Sequence, residues 1–435
     1  KAVTYSSIGH RPLDVPTGRV SLVAGSLSSE NVISMKTIRE IFRIGYGPSS
    51  SHTMGPRKAA ELFLAAYPDA AKYQAHLYGS LSATGKGHLT DAAIIDVIPS
   101  VEIVWHDEFL PFHPNGMRFC AWDSHDNMLD DWTVYSVGGG ALEEDPDNST
   151  FLIQNSELPD IYPLSRLSDI KEYCDKMGWD YWEYVEHYEG KEIWDYLREV
   201  WQVMREAVER GLDHEGVLPG PLHLRRKAAS YYIKVAGYKD NLRTRGLVFS
   251  YALAVSEENA SGGKIVTAPT CGSCGVLPAV LYHTWRSRDF SETRILHALA
   301  TAGLIGNVVK ENASISGAEV GCQGEVGVAC AMASGAVNQL FGGTLAQIEY
   351  AAEMGLEHHL GMTCDPVCGL VQIPCIERNA FAAARALDSN MYAAFSDGTH
   401  NVTFDRVVDV MKQTGHDLPS LYKETSQGGL AATYE

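Results

Sequence analysis

Leu296-His297-Ala298-Leu299-Ala300-Thr301-Ala302-Gly303-Leu304-Ile305-Gly306-Asn307-Val308-Val309 runs the length of a helix without an Asp, Glu, Lys or Arg. A surface helix would carry charge on its outer face, so this composition predicts a helix buried on most sides. Val326 to Ile348 is also free of charge and reaches the length of a bilayer span. Asn338, Gln339, Thr344, Gln347 and four glycines make it a poor membrane segment, and it reads as two buried helices joined near Gly342-Gly343. Upstream, Leu167 to Arg210 carries helical spacing. Opposite charges stand four apart at Arg205 and Glu209 and at Glu206 and Arg210, beside apolar Val200, Trp201, Val203 and Met204. The second half is expected to be a large all-α domain.

The first half reads differently. Between Ala75 and Thr133, short apolar runs such as Ile94-Ile95-Asp96-Val97-Ile98 and Val101-Glu102-Ile103-Val104-Trp105 are separated by Gly, Pro, Asn and Asp turns. That pattern predicts a small α+β domain over 35–150. Met35-Lys36-Thr37-Ile38-Arg39-Glu40 looks like the natural start of the folded unit, and 1–34 is expected to be an extension or remnant. Asp145-Pro146-Asp147-Asn148-Ser149 has loop composition, so 151–185 is taken as the linker region and 186–435 as the all-α domain. The 35 Lys+Arg against 54 Asp+Glu give a formal charge of −19, which opposes binding to nucleic acid or an anionic membrane. Small molecules or other subunits are the expected partners. Nine cysteines are an odd number for a fully paired secreted chain, and no early segment has a secretory pattern. A cytoplasmic protein is expected.

In a reducing compartment cysteine serves metal or redox chemistry more often than disulfides. Cys322, Cys364 and Cys375 sit in turn-rich surroundings, Gly321-Cys322-Gln323-Gly324-Glu325 and Met362-Thr363-Cys364-Asp365-Pro366 among them. They read as metal ligands, with small residues at Gly317, Ala318, Gly321, Gly324 and Gly327 letting backbone come close. Three ligands leave one coordination position open for substrate. A four-cysteine zinc site from Cys271, Cys274, Cys364 and Cys368 also fits the usual spacing loosely. Cys120, Cys174 and Cys330 read as ordinary packed residues.

Gly47-Pro48-Ser49-Ser50-Ser51-His52-Thr53 precedes a helical pattern and reads as an anion cradle with a proton-transfer histidine, or as a serine-rich N-cap. Phe112-His113-Pro114-Asn115-Gly116 places a second histidine on a turn, where a plain hairpin is the competing explanation. Ser136-Val137-Gly138-Gly139-Gly140 could wrap amides around an anion. Thr84-Gly85-Lys86-Gly87-His88 lacks the spacing of a nucleotide phosphate loop.

These motifs together resemble the iron-sulfur-dependent L-serine dehydratases, or L-serine ammonia-lyases, in their single-chain form. The resemblance rests on Gly47 to Thr53, Tyr78-Gly79-Ser80-Leu81 with Thr84 to His88, His113 to Gly116, Ser261-Gly262-Gly263 with Thr267 to Thr270, Asn312 to Ala329, and Gly361 to Asn379. It implies a 4Fe-4S cluster on Cys322, Cys364 and Cys375, with the fourth iron facing L-serine. It also implies an N-terminal domain similar to allosteric substrate-binding domains, then an all-helical iron-sulfur catalytic domain, both contributing to the active site. Ser49, Ser50, Ser51, Thr53 and Asn312 would hold the substrate carboxylate and amine, and His52 or His113 would remove the α-proton. A homodimer is the default assembly.

Two departures stand out. Cys271-Gly272-Ser273-Cys274 replaces the Asn-Gly-Ala-Ala of many relatives, and the sequence ends Ala431-Ala432-Thr433-Tyr434-Glu435 without the cluster-capping cysteine of some single-chain members. The rival readings are β-elimination from threonine or cysteine, an amino-acid sensor, and a zinc-stabilised binding protein. Protein purified without oxygen is expected to absorb broadly in the visible and to contain iron and sulfide; colourless, zinc-bound protein would favour the last rival.

Overall fold

The computed structural model describes residues 35–145 and 160–434. The expected extension, 1–34, and the heart of the expected boundary loop lie outside the described residues. Nine strands are described: Met35–Lys36 (β1), Ile44–Tyr46 (β2), Lys72–Leu77 (β3), Val101–Trp105 (β4), Gly116–Trp122 (β5), Met128–Ser136 (β6), Leu142–Glu143 (β7), Asp160–Tyr162 (β8) and Lys264–Val266 (β9). The helices of the first part are Gly55–Ala66 (α1), Gly79–Thr84 (α2) and Thr90–Val97 (α3). Then come Leu167–Met177 (α4), Tyr181–Glu189 (α5), Ile193–Asp213 (α6), Ala228–Val235 (α7), Asp240–Ala260 (α8), Val276–Arg288 (α9) and Glu292–Asn312 (α10). The remainder are Gly317–Val320 (α11), Val326–Leu340 (α12), Leu345–Glu357 (α13), Cys375–Ala394 (α14), Phe404–Asp417 (α15) and Gly429–Ala432 (α16).

The first part is a five-stranded sheet in the order β4-β3-β5-β6-β7, with β3 parallel to β4 and the other pairs antiparallel. Along β3, Tyr73, Ala75 and Leu77 turn inward in the two-residue alternation of a half-buried strand. They pack with Ala59, Ala60 and Phe63 of α1, and with Phe119 and Trp132 from the neighbouring strands.

The second part is helical, and its centre is the pair anticipated from the uncharged runs. α12 and α13 meet across the Gly342-Gly343 turn, with α10 and α14 against α12. Alanine and glycine on these helices permit close approach: at Gly335 a Cβ would lie 2.3 Å from Ile305, and at Gly303 one would lie 2.9 Å from Phe42.

Two features differ from a simple division in sequence order. Met35, Ile38, Ile41 and Phe42 belong to the helical core, and β1 pairs with β8 while β2 pairs with β9. The all-α region therefore contains one strand, Lys264-Ile265-Val266, whose adjacent β-branched residues favour extended backbone. Residues 167–185, expected within the linker, instead form α4 and most of α5 and bury Leu167, Ile170, Cys174, Tyr181 and Tyr184. The Asn115-Gly116 pair is not a hairpin turn: β3 lies between β4 and β5, and the Asn115 amide donates to the Ser136 carbonyl at 3.1 Å.

Glu40 fastens the leading segment to the helices. Its Oε2 accepts from Arg43 and from Lys310 of α10, both at 2.6 Å, at a site only 5% exposed. Burial alone would raise its pKa, but the two cations hold it down at about 2. Because the folded value is depressed, this stabilisation is present above the ordinary carboxylate range and is lost as pH falls toward 2. Glu40→Gln leaves the partly buried Arg43 and Lys310 without this counter-charge. It is expected to destabilise the fold by about 3–5 kcal/mol at neutral pH, a difference that shrinks in acid and is read by denaturant unfolding at several pH values.

Candidate metal centre and proton-transfer site

Three separate loops deliver the three cysteines. Cys322 opens a short turn leading into α12, after Gly321 with φ +75°. Cys375 is the first residue of α14. Cys364 is clasped by the C-terminal segment: its N–H donates to the Tyr422 carbonyl at 2.8 Å, and its own carbonyl accepts from the Glu424 N–H at 2.9 Å. Ser49, His88, Gly272, Cys322, Glu325, Cys364, Pro366, Val371, Cys375 and Glu424 line one small cavity of about 10 Å³. Both parts of the fold thus supply its walls.

The sulfurs differ in their electrostatics. A hydrogen bond from the Cys364 thiol and the charge of Arg378 outweigh burial at Cys322 and bring its pKa down to about 6. The same hydrogen bond, with burial, pushes Cys364 well up, and burial with the Cys322 charge does so for Cys375. A backbone hydrogen bond from Val326, at the opening of α12, favours the same charge on Cys322. Arg378 donates to the Thr363 carbonyl at 2.6 Å and to Asp365 at 3.2 Å, so it holds the Cys364 loop as well. Asn379 ties α14 to the 272–275 turn, donating to the carbonyls of Cys375 and Gly272 and accepting from Gly275 N–H.

Two carboxylates share the cavity lining with the sulfurs. Glu325 accepts the Thr270 hydroxyl at 2.8 Å, and burial raises its pKa to about 8, helped by the Cys322 charge. Glu424 is buried, and burial followed by the charge of Glu325 raises it well above the carboxylate range. Cys322, Glu325 and Cys364 form one group of donor atoms lying within 4.8 Å of one another, and His52, His88 and Glu424 form a second. Neither glutamate stood out in the sequence. Glu325 was embedded in the cysteine motif, while Glu424 is distant in the chain from every motif but close in space.

The serine-rich turn serves as cap and site wall at once. Ser49 is the N-cap, its hydroxyl accepting from His52 N–H at 3.0 Å, and Thr53 donates to the His88 carbonyl at 2.7 Å. Ser50 is buried in the same turn, its carbonyl accepting from Gly55 N–H. Of Ser49, Ser50, Ser51 and Thr53, only Ser49 lines the cavity. Asn312 stands apart at the end of α10, donating to the Ser165 and Val308 carbonyls at 2.7 and 2.8 Å. The Gly138-Gly139-Gly140 loop has three positive φ angles and approaches Ser316, Ile315 and Met54 closely.

Counting donors assigns the histidine tautomers. The Ser80 hydroxyl donates to the Glu424 carbonyl at 2.9 Å, so it accepts from His52 Nε2 at 3.1 Å. His52 Nδ1 is then the bare nitrogen, 2.8 Å from Ser51 Oγ and 3.5 Å from Glu424 Oε1. By the same count the Thr84 hydroxyl donates to the Ser80 carbonyl, accepts from His88 Nδ1, and leaves His88 Nε2 bare. His113 is the reverse: Nδ1 accepts from Asn115 N–H at 3.1 Å, so its buried Nε2 carries the hydrogen, without a hydrogen-bond partner and 3.6 Å from Glu319. Burial keeps all three imidazoles neutral, with pKa values lowered well below normal for His52, to about 3 for His88 and to about 4 for His113. His88, quoted above only within a glycine-rich motif, is thus part of the site.

The zinc quartet suggested by spacing does not assemble among the described residues. Cys271 and Cys274 are buried, the Cys271 sulfur lying 3.4 Å from that of Met54, whereas Cys368 is exposed at φ +55°.

The serine dehydratase alpha chain family matches residues 91–431, and the serine dehydratase beta chain family matches residues 37–98. L-serine dehydratase TdcG of Escherichia coli (strain K12) is 41% identical over 447 residues, covering 90% of this chain and 98% of its own. L-serine dehydratase of Haemophilus influenzae is 39% identical over 451 residues, covering 91% and 99%. That of Streptomyces coelicolor is 40% identical over 447 residues, covering 91% and 98%.

Gly321 lets the loops of Cys322 and Cys364 meet: it holds φ +75°, and a Cβ there would lie 2.7 Å from the Met362 carbonyl oxygen. Gly321→Ala is expected to cost about 1–3 kcal/mol of stability in the metal-free protein and to lower metal retention, measured by unfolding and by metal analysis after gel filtration.

Proposed function

We propose, since the chain belongs to the serine dehydratase family, that it is a carbon-nitrogen lyase that converts L-serine to pyruvate and ammonia, with a 4Fe-4S cluster held by Cys322, Cys364 and Cys375. The observation that carries this reading is the single cavity lined by those three thiols together with Ser49, His88 and two carboxylates. The donor set suits the group: cysteine thiolates are the usual ligands of iron-sulfur clusters, and Gly317 and Gly272 bring backbone close to the donors where a Cβ would intrude. When bound, the cluster supplies Lewis acidity at the substrate oxygens, worth several kcal/mol of developing charge.

The rest falls to this chain's side chains. Elimination requires loss of a weakly acidic α-proton and of the β-hydroxyl, and general acid-base groups typically contribute on the order of 100- to 10,000-fold. We assign the base to His52 rather than His113, because donor counting leaves Nδ1 of His52 bare and places the hydrogen on the unpartnered nitrogen of His113. The α-proton moves to His52 Nδ1, directly or through the Ser51 hydroxyl at 2.8 Å. His88 Nε2, the other bare nitrogen, accepts from the substrate ammonium. Glu424, kept protonated by burial, is the acid beside them. Ser49 faces the substrate carboxylate, Ser51 stands behind it against His52 Nδ1, Ser50 and Thr53 shape their turn, and Asn312 supports a helix end. Loss of water gives aminoacrylate, which tautomerises to the imine and takes up water to release pyruvate and ammonia.

The N-terminal α/β part is read as similar to allosteric substrate-binding domains. A cleft of about 1000 Å³ lined by Arg39, Arg43, Tyr46, Lys58 and Tyr196 is the place for such binding. A homodimer is proposed through the outer face of α14, where Phe381, Tyr392 and Phe395 are 69%, 57% and 84% exposed, an apolar face that a second copy would cover. No helix among the described residues is long and apolar enough to cross a membrane, and a cytoplasmic location is the working assignment.

Protein loaded with iron and sulfide without oxygen is expected to form pyruvate from L-serine. His52→Ala should lower kcat by roughly 100- to 10,000-fold at unchanged iron content, with His113→Ala losing less. Full turnover in His52→Ala would remove the base assignment; absence of pyruvate from iron-loaded wild-type protein would remove the reaction.

A further inference from the structure

The two carboxylates of the cavity are sorted by their neighbours. Glu424 stands with the imidazoles, 3.5 Å from His52 Nδ1. Glu325 stands with the sulfurs: one of its oxygens, Cys322 Sγ and Cys364 Sγ all lie within 4.8 Å of one another. Its Oε1 accepts the Thr270 hydroxyl at 2.8 Å, and its Oε2 lies 3.9 Å from Cys364 Sγ. The Thr270 bond orients the carboxylate, as the outer partner of a metal ligand does.

The space around the carboxylate is kept clear for it. A Cβ at Gly317 would lie 2.6 Å from Oε2 and 3.2 Å from Cys364 Sγ, and one at Gly272 would lie 3.1 Å from Oε1. Among the described residues no lysine or arginine forms an ion pair with Glu325; the nearby Arg378 is turned to Asp365 and the Thr363 carbonyl. A carboxylate sunk in a cavity with thiols and without a paired cation is stable as a neutral acid or as a metal ligand. Its position beside two of the cluster cysteines, with one oxygen oriented and the other directed to sulfur, favours the ligand.

We propose that Glu325 is a fourth protein ligand of the cluster, closing through Oε2 the coordination position that three cysteines leave open, until substrate displaces it. The proposal rests on the cluster assignment above and deepens it. Displacement is a ligand exchange in which no electron is transferred: one carboxylate oxygen leaves as a substrate oxygen arrives.

The test is retention of the fourth iron, independent of turnover. Wild-type protein, Glu325→Gln, Glu325→Asp and Glu424→Gln are loaded with iron and sulfide without oxygen, checked for folding by circular dichroism, and titrated with ferricyanide. Appearance of the three-iron species is followed by electron paramagnetic resonance. Glu325→Gln should lose the fourth iron at least about tenfold faster than wild type, the lower end of the affinity lost with a metal-orienting partner. Glu325→Asp, which keeps a carboxylate, should fall between, and it carries the comparison if the Gln variant fails to fold. Glu424→Gln should match wild type. Loss from Glu325→Gln or Glu325→Asp at the wild-type rate, or an equal acceleration in Glu424→Gln, overturns the proposal. Failure of wild-type protein to take up iron and sulfide at all overturns it together with the cluster assignment, a result distinct from the other two.

Discussion

Five acidic groups converge on one cavity: the thiols of Cys322, Cys364 and Cys375 and the carboxyls of Glu325 and Glu424. Like charges gathered away from water cannot all ionise, and the structure relieves the crowding in several ways at once. Cys322 takes the negative charge, with Cys364 as its hydrogen-bond donor and Arg378 nearby, and the other four groups are driven toward their neutral forms. The Val326 N–H at the opening of α12 adds to the stabilisation of that charge. A cation or an iron-sulfur centre bound there would resolve the remainder, so the chemistry of the site and the electrostatics of the fold meet in one requirement.

The helices around the cavity hold its walls by close packing. α12 has no charged residue, α10 carries its charges only near its two ends, and α14 is rich in alanine, which lets these helices pack closely and fix the ends that carry Cys322 and Cys375. Rigid helices hold ligands to closer tolerances than loops do. The cysteine turns are in turn held by specific hydrogen bonds. Asn379 joins the start of α14 to the 272–275 turn, and the Tyr422–Glu424 segment pairs with Cys364. The leading segment closes the arrangement from the other side, with Met35, Ile38 and Phe42 buried in the helical core just before the chain enters the serine-rich turn.

The imidazole side follows a different logic. His52, His88 and His113 are buried, and neutrality follows from burial rather than from a paired carboxylate. Neutral rings have one donor and one acceptor nitrogen, so the hydroxyls of Ser80 and Thr84, each already donating to a carbonyl, decide which nitrogen stays bare. The small helix α2 carries both hydroxyls, which makes it the element that sets the protonation pattern of the site.

Much of this was legible in the sequence. Charge-free runs marked the middle of α10, all of α12 and the first turn of α13, because burial on all sides leaves no place for charge, and the alternating runs before residue 133 marked the sheet. The three cysteines stood out by their glycine- and proline-rich turns, and the serine-rich turn by its cap chemistry. Spacing alone also offered a zinc quartet, which does not assemble because Cys271, beside Met54, and Cys274 are buried while Cys368 is exposed. Glu424 and His88 could not be read locally: Ser80 meets the Glu424 backbone across 344 positions of sequence, and such a contact leaves no periodic trace. The sequence determined the kinds of groups and the helices that hold them, since propensity and burial are local properties. The tertiary structure alone decided which thiol is charged, which nitrogen is bare and which carboxylate faces sulfur, because each depends on neighbours brought from distant parts of the chain into a low-dielectric cavity.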